Sequence, residues 1–377
     1  MKIVIAPDSF KESLTALDVA NAIEEGCKEV LPHVSYVKVP MADGGEGTVQ
    51  SLVDATGGTI EYANVTGPLG EKVEAFYGLL GDGKSAVIEM AAASGLELVP
   101  TDKRNPLLTT TYGTGELIVR ALEQGVKKII IGIGGSATND GGAGMIQALG
   151  GKLLTEEGQD ILFGGAGLGE LSRIDVTNLD ERLKGVSVEI ACDVDNPLTG
   201  PKGASAIYGP QKGATEEQIQ QLDAHLEHFA NVIKRDVGKD IIDVPGSGAA
   251  GGLGAGLLAF LPSVLKRGGD LVIEVTKLEE QIRDADVVIT GEGGINHQTI
   301  HGKTPTCVAT AAKKFNVPVI ALAGSLTDEY TNVYDHGIDA VFSIVPGAVS
   351  LEEALKTGYE NTKNTARNIA AVIKMME

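Results

Sequence analysis

Lys128-Ile-Ile-Ile-Gly132-Ile-Gly134-Gly135-Ser136-Ala137-Thr138-Asn139-Asp140-Gly141-Gly142-Ala-Gly144-Met145 is the stretch on which the reading of the fold turns. Three consecutive isoleucines read as a buried strand, because β-branched side chains fit a covered, pleated surface. Six glycines then fall between Gly132 and Gly144. Glycine lets the backbone take positive φ and brings N–H groups close to a ligand. Amides converging ahead of a helix make a site for phosphate. Ser136, Thr138, Asn139 and Asp140 add oxygens that could hold a phosphate or a metal. The stretch therefore reads as strand, phosphate cradle, helix. A plain Gly-rich turn would use the same glycines, and Gly132-Ile-Gly-Gly-Ser-Ala137 also fits the alanine variant of the dinucleotide fingerprint. Against that variant, Asn139-Asp-Gly-Gly142 stands where the fingerprint needs an unbroken helix. Its acidic partner, about 20 residues on, is available only as Glu156 or Glu157.

Around this stretch the chain has material for two domains, with 377 residues of which 43% are apolar. Its 50 glycines sit in short clusters rather than in low-complexity sequence. A net charge of −20 argues against nucleic acid and anionic membranes as partners. An anionic substrate would have to be met by local cations and backbone amides. Cys27, Cys192 and Cys307 are far apart, odd in number and without a Cys-x-x-Cys, which indicates neither a disulfide framework nor a zinc site. The apolar run Met1-Lys-Ile-Val-Ile-Ala-Pro7 is short for a signal peptide, and Ala249 to Leu261 falls below the ~20 residues of a membrane span. A cytoplasmic protein is expected, either a monomer or a homodimer.

Residues 2–6 and 35–39 read as strands, separated by a helix that opens at the capping box Thr15-Ala-Leu-Asp18. Extended runs near 60–65, 73–80 and 86–90 follow without intervening helices and suggest an antiparallel region. A long helix opens at Thr215-Glu-Glu-Gln218, with Ile219, Leu222, Leu226, Phe229 and Ile233 on one face. Gly246–Gly256 reads as a turn with close helix packing. After residue 285, strands at 287–290, 317–323 and 340–345 alternate with helices at 304–315 and 351–375. The expected fold class is α/β. A discontinuous parallel-sheet domain (1–60 with 285–377) carries an inserted mixed α/β domain (61–284).

The polar motifs stand at expected strand ends, where open parallel sheets gather ligands. Asp8-Ser9-Phe-Lys11 follows the first strand, and Asp43-Gly44-Gly45-Glu-Gly47 follows the second. Glycines beside Asp43 allow its carboxylate to approach a ligand, although Asp-Gly is also common in solvated turns. Cys192-Asp193-Val-Asp195-Asn196-Pro197 offers hard oxygens that suit Mg²⁺ better than zinc, or else an Asx turn before proline. Lys202 and Lys212 are cations on Pro/Gly loops and could meet phosphate, although solvated lysines are commoner. Thr290-Gly-Glu292-Gly293 and His301-Gly-Lys303-Thr304 place a carboxylate and two potential cations near a further strand end. Carboxylates for metal, glycine amides for phosphate and lysines for anions are the parts of phosphoryl transfer.

Six of these motifs, in order, resemble those of the bacterial glycerate kinase type 1 family. They are Asp8-Ser-Phe-Lys-Glu-Ser-Leu14, Met41-Ala-Asp-Gly-Gly-Glu-Gly-Thr48, Gly132 to Gly144, Cys192 to Pro197, Gly209-Pro-Gln-Lys-Gly213 and Thr290-Gly-Glu-Gly293. The resemblance spans nearly the whole chain. It implies ATP- and Mg²⁺-dependent phosphorylation of D-glycerate, with 2-phosphoglycerate the favoured product, in glyoxylate, glycolate or sugar-acid catabolism. It also implies a flavodoxin-like domain joined to a second α/β domain. In the reading that results, Gly134, Gly135, Ser136, Ala137, Thr138, Asn139, Asp140, Gly141 and Gly142 hold ATP phosphates, and Mg²⁺ rides on Asp193 with Asp140. Asp43 orients or deprotonates the hydroxyl, with Lys11 and Asp193 as further catalytic groups. Asp8, Ser9, Gly44, Gly45, Glu292, His301 and Lys303 line the substrate. The chain departs from the family pattern Gly-Glu-Gly-Arg-Ile-Asp-x-Gln at Gly294 and Asn296. That departure motivates the alternative of a weakly active or non-catalytic glycerate or nucleotide binder. An NAD(P)-dependent oxidoreductase is the further alternative.

Overall fold

The computed structural model describes residues 1–327 and 329–376. It comprises two compact units, one of Met1–Asp43, Gln50–Gly57 and Arg267–Glu377, the other of Gly44–Val49 and Gly58–Lys266.

Among the described residues, the first unit is built on a five-stranded sheet. Its strands run in the spatial order Ala340–Ser343, Val319–Leu326, Val287–Ile295, Lys2–Ile5, Ser35–Lys38, and every neighbouring pair is parallel. Counted along the unit's own chain, the order is 2-1-3-4-5, the flavodoxin-like winding. In that winding the strand order reverses between Lys2–Ile5 and Val287–Ile295, and the crevice outside their carboxyl ends is the expected ligand position. The central strands are apolar because both faces are covered: Ile3, Val4, Ile5, Val288 and Ile289 are fully buried. Helix Ala16–Lys28 starts at the expected capping box, with Thr15 and Asp18 each bonding the other's backbone amide. It packs on helix Gly358–Met376, where Gly26 leaves room for the backbone of Lys363. Two differences from the sequence reading stand out. The strand at 287 runs on through Gly291-Glu-Gly-Gly294 to Ile295, since its partner Val319–Leu326 continues beside it. The C-terminal helix is two helices, Leu351–Lys356 and Gly358–Met376, broken at Thr357 just ahead of a glycine whose Cβ would collide with Ser13.

The second unit holds a mixed sheet in the order Ser263–Lys266, Ser187–Ala191, Lys128–Gly132, Ser85–Glu89, Lys72–Leu79, Thr59–Thr66. The first four strands are mutually parallel, and the last two join antiparallel. Ile129, Ile130 and Ile131 lie at its centre, fully buried. Helix Glu216–Asp236 covers the unit's core with Leu222, Leu226, Phe229 and Ile233. The Gly-rich segment at 246–256 packs backbone to backbone on the loop after Gly132. A Cβ on Gly251 would collide with the Thr138 carbonyl, and one on Gly256 would come within 2.5 Å of the Gly141 oxygen. Helices Gly268–Thr276 and Leu278–Ile282, placed by sequence in the inserted part, group with the first unit because they pack on its helix Thr304–Lys313.

Candidate active site

In the first unit, three neighbouring strands bring carboxyl groups together at or beyond their carboxyl ends, Glu292 within its strand and Asp8 and Asp43 after theirs. The backbone leaves the first strand through Asp8, whose amide donates to the Gly291 carbonyl at 2.9 Å. Asp8 Oδ1 accepts from the Ser9 amide at 2.7 Å and its hydroxyl at 3.3 Å, and Oδ2 accepts from Thr304 Oγ1 at 2.6 Å. Burial, then the charge of Asp43, pushes the Asp8 carboxyl up to about 7, against the pull of the Thr304 and Ser9 hydrogen bonds. Glu292 is buried on its strand, accepts from Thr299 Oγ1 and lies 3.5 Å from Lys303 Nζ. Burial pushes its carboxyl up from the usual range too, with Asp43 adding to the effect and Thr299 and Lys303 opposing it. Asp8, Ser9, Asp43, Glu292 and Lys303 therefore form one cluster. Lys11 and His301 have exposed side chains on the flanking turns.

Thr299 and Thr304 are additions that sequence reading did not assign. Thr299 is positioned by an Asx turn in which Asn296 Oδ1 accepts from the Gln298 amide at 2.8 Å while Thr299 Oγ1 accepts from the Asn296 amide at 3.1 Å. Asn296 is thus engaged in shaping the turn that presents Thr299 to Glu292. A side chain at Gly294 would first meet Ser325 Oγ, 2.9 Å from its Cβ position.

In the second unit the polar groups also gather at the carboxyl ends of parallel strands. Gly134 and Gly135 are exposed, and their amides donate to nothing among the described residues. Gly135 takes φ +73, a left-handed conformation that favours glycine. The rest of the expected cradle is spent internally. The Ala137 amide donates to the Ser94 carbonyl and the Gly141 amide to the Gly251 carbonyl, while Ser136, Thr138, Asn139, Gly141 and Gly142 are buried. Asp140 is engaged within the loop itself. It is fully buried, and its carboxylate accepts from the Thr111 amide (2.8 Å) and hydroxyl (2.9 Å) and from the amides of Gly142 (3.1 Å) and Gly144 (3.3 Å). Three of these donors share Oδ2 and one reaches Oδ1, so Asp140 staples the loop from within. The open part of the loop is correspondingly short, limited to Gly134 and Gly135. No helix opens until Ala143, eleven residues beyond the strand-end Gly132, which is not the tight turn a dinucleotide fingerprint requires.

Gly44 and Gly45 lie on the Gly44–Val49 segment of this unit, held by Glu89. Glu89 ends its strand nearly buried and accepts from the Val49 amide at 2.8 Å. Burial pushes the Glu89 carboxyl up from the usual range, and the amides of Val49, Gly47 and Thr48 hold it down. Its only sequence signal was a charge closing an otherwise apolar strand.

The donors present fit Mg²⁺ in one respect. Among the described residues no group of three or more His, Cys, Asp or Glu side chains could hold a metal by itself. Asp193 and Asp195 are, however, exposed carboxylates at a strand end. Mg²⁺ commonly takes one or two protein carboxylates, with substrate phosphates and water completing the shell. Asn196 is committed elsewhere, accepting from the Tyr208 hydroxyl at 2.7 Å and donating to the Lys202 carbonyl at 2.8 Å.

Carboxyls gathered at the switch point of one sheet, and glycine amides at the strand ends of another, define a two-unit α/β protein whose polar groups sit where such sheets take small ligands. The glycerate kinase family profile matches residues 3–374. A Bacillus subtilis (strain 168) protein named glycerate kinase is 62% identical over 375 residues, covering 100% of this chain and 98% of its own length. An Escherichia coli (strain K12) protein named glycerate 2-kinase is 59% identical, with 99% and 98% covered. A crystal structure of a Salmonella typhimurium LT2 protein assigned as glycerate kinase 2 superposes with a TM-score of 0.92 at 56% identity, covering 100% of this chain and 98% of that one. The chain belongs to the glycerate kinase family.

Proposed function

We propose that the protein transfers a phosphoryl group from ATP to a hydroxyl of D-glycerate, with 2-phosphoglycerate as product. The observation that carries this reading is the Asp8–Asp43–Glu292 cluster at the switch point of the parallel sheet, with Lys303 beside it. A hydroxyl becomes a nucleophile when a base near its working pH takes its proton. Burial and the Asp43 charge bring Asp8 to about 7. Asp8 and Asp43 act as a pair that orients the hydroxyl and shares the proton it gives up. Lys303, Lys11 and Ser9 meet the glycerate carboxylate. Thr299 and Lys303 hold Glu292 in place, and Glu292 accepts from the second hydroxyl. The amides of Gly134 and Gly135 receive ATP phosphate oxygens, as converging glycine amides do. Asp193 would hold Mg²⁺, which when bound supplies neutralising charge to the phosphates.

Family membership and the names of relatives at 59–62% identity support the substrate. The loop's departure from a dinucleotide turn disfavours the nicotinamide alternative. Steady-state ADP release with D-glycerate, L-glycerate and no acceptor tests the reading. Release that depends on D-glycerate is expected, and release indifferent to the acceptor would refute it.

A further inference from the structure

Lys212 is not the solvated loop cation that its Pro/Gly setting suggests. It closes a short 3-10 turn, Pro210–Lys212, followed by Gly213 at φ +89, where any Cβ would collide with the Arg104 carbonyl. The turn sends the lysine side chain inward, leaving it 1% exposed. Its Nζ donates to Ser136 Oγ at 2.7 Å and to the Thr138 carbonyl at 2.6 Å. An ammonium has three protons, and among the described residues the third meets no acceptor and the charge forms no ion pair. Burial pulls the Lys212 ammonium down to about 7, and the field of Asp140, whose carboxylate accepts from Thr111, Gly142 and Gly144, opposes that pull. In the same stretch, Thr138 Oγ1 and Asn139 Oδ1 are buried without partners. A buried cation held this way is costly, and an apolar side chain of similar volume would ordinarily pack as well. Stability therefore does not account for it. An anion bound on the loop would.

We propose that Lys212 is a positioning residue for the nucleotide: bonded to Ser136 and Thr138 from beneath, it aims the Gly134–Ser136 amides at phosphate and places its charge below the bound anion. This rests on the reading of that loop as the ATP-phosphate site. Without the ammonium, Ser136 and the Thr138 carbonyl lose their common anchor, and the anion loses the charge nearest the loop. The adenine and ribose of ATP would feel neither change.

The test is calorimetric binding of ATP and of adenosine, without glycerate, to wild type and to Lys212→Met, with melting curves for both. Methionine keeps the volume and removes the charge. Loss of one charge-assisted contact should weaken ATP about 10–100-fold, with adenosine affinity changed less than about threefold and the melting temperature unchanged or raised. A folded Lys212→Met that binds ATP like wild type, or that loses ATP and adenosine equally, overturns the proposal. If Lys212→Met does not fold, Ser136→Ala carries the test, since it cuts the link and leaves the lysine. Weakened ATP with unchanged adenosine supports the proposal, and unchanged ATP overturns it. A folded wild type that binds no ATP refutes the nucleotide reading itself, and the role of Lys212 falls with it.

Discussion

Thr304 Oγ1 donates to Asp8 Oδ2 at 2.6 Å across 296 residues of sequence, tying the end of the first strand to the start of helix Thr304–Lys313. This bond opposes the upward push that burial and Asp43 exert on the Asp8 carboxyl. Its strength therefore helps to determine where Asp8 ionises, after burial and the Asp43 charge.

The pH dependence follows with a definite sign. Asp8 serves as a base only when ionised, so kcat/KM should rise with pH through about 7. Thr304→Val removes the hydrogen bond to the charged form and keeps the shape. Asp8 then ionises later, and the rising limb of the profile should move to higher pH by about one unit, equivalent to about 1.4 kcal/mol. A limb that does not move would mean that another group controls it.

Asp43→Asn should lower kcat by about 10²–10⁴-fold, the usual contribution of a group that orients or deprotonates a nucleophile. ATP affinity should hardly change. Removing the Asp43 charge also takes away one cause of the raised Asp8 value, so the residual activity should have its rising limb at lower pH than wild type. Turnover close to wild type would take Asp43 out of the mechanism.

Gly135→Val places a β-branched side chain at φ +73 and against Ala91, whose Cβ lies 3.3 Å from the Cβ position. ATP affinity should fall at least about tenfold, since strain of about 1–3 kcal/mol at such a backbone position adds to steric exclusion of the phosphate. Glycerate affinity should be largely kept. Titrating both ligands distinguishes this from general collapse, in which the two would fall together.

Gly294 and Asn296 make a sharper case. An arginine at 294 can clamp a carboxylate or phosphoryl oxygen through two N–H groups, provided Ser325 turns aside. Aspartate at 296 can keep the acceptor role Asn296 has toward the Gln298 amide. Gly294→Arg with Asn296→Asp should raise kcat/KM roughly 10–100-fold, and each single change should recover less than the pair if the two side chains couple. A wild type already fast and not improved by the pair would show that the departure is neutral.

The parallel sheet of the first unit was legible because strands buried on both faces leave uninterrupted β-branched runs, such as Ile3-Val-Ile5 and Val287-Val-Ile289. The two capping boxes were legible because Thr15 and Thr215 act on residues only three positions away. The candidate site was legible to the level of which loops carry it. The fate of individual groups was not, because it depends on partners distant in sequence. The amides of Ala137 and Gly141 are taken by Ser94 and Gly251, and Asp140 is taken by Thr111. The glycine pattern is the same whether an amide faces a ligand or another loop. Lys212 followed the same logic in reverse, since Gly-Pro-Gln-Lys-Gly suggests an exposed turn, whereas its ammonium is buried against Ser136 and the Thr138 carbonyl.

The central claim is tested most directly by incubating the purified protein with D-glycerate and Mg-ATP and following the mixture by phosphorus NMR. The account predicts that ADP and one phosphomonoester appear together in equal amounts, and that the ester's signal grows when authentic 2-phosphoglycerate is added. A signal that coincides with 3-phosphoglycerate would contradict the assigned hydroxyl, and ATP left intact beside folded protein would contradict the phosphoryl transfer itself.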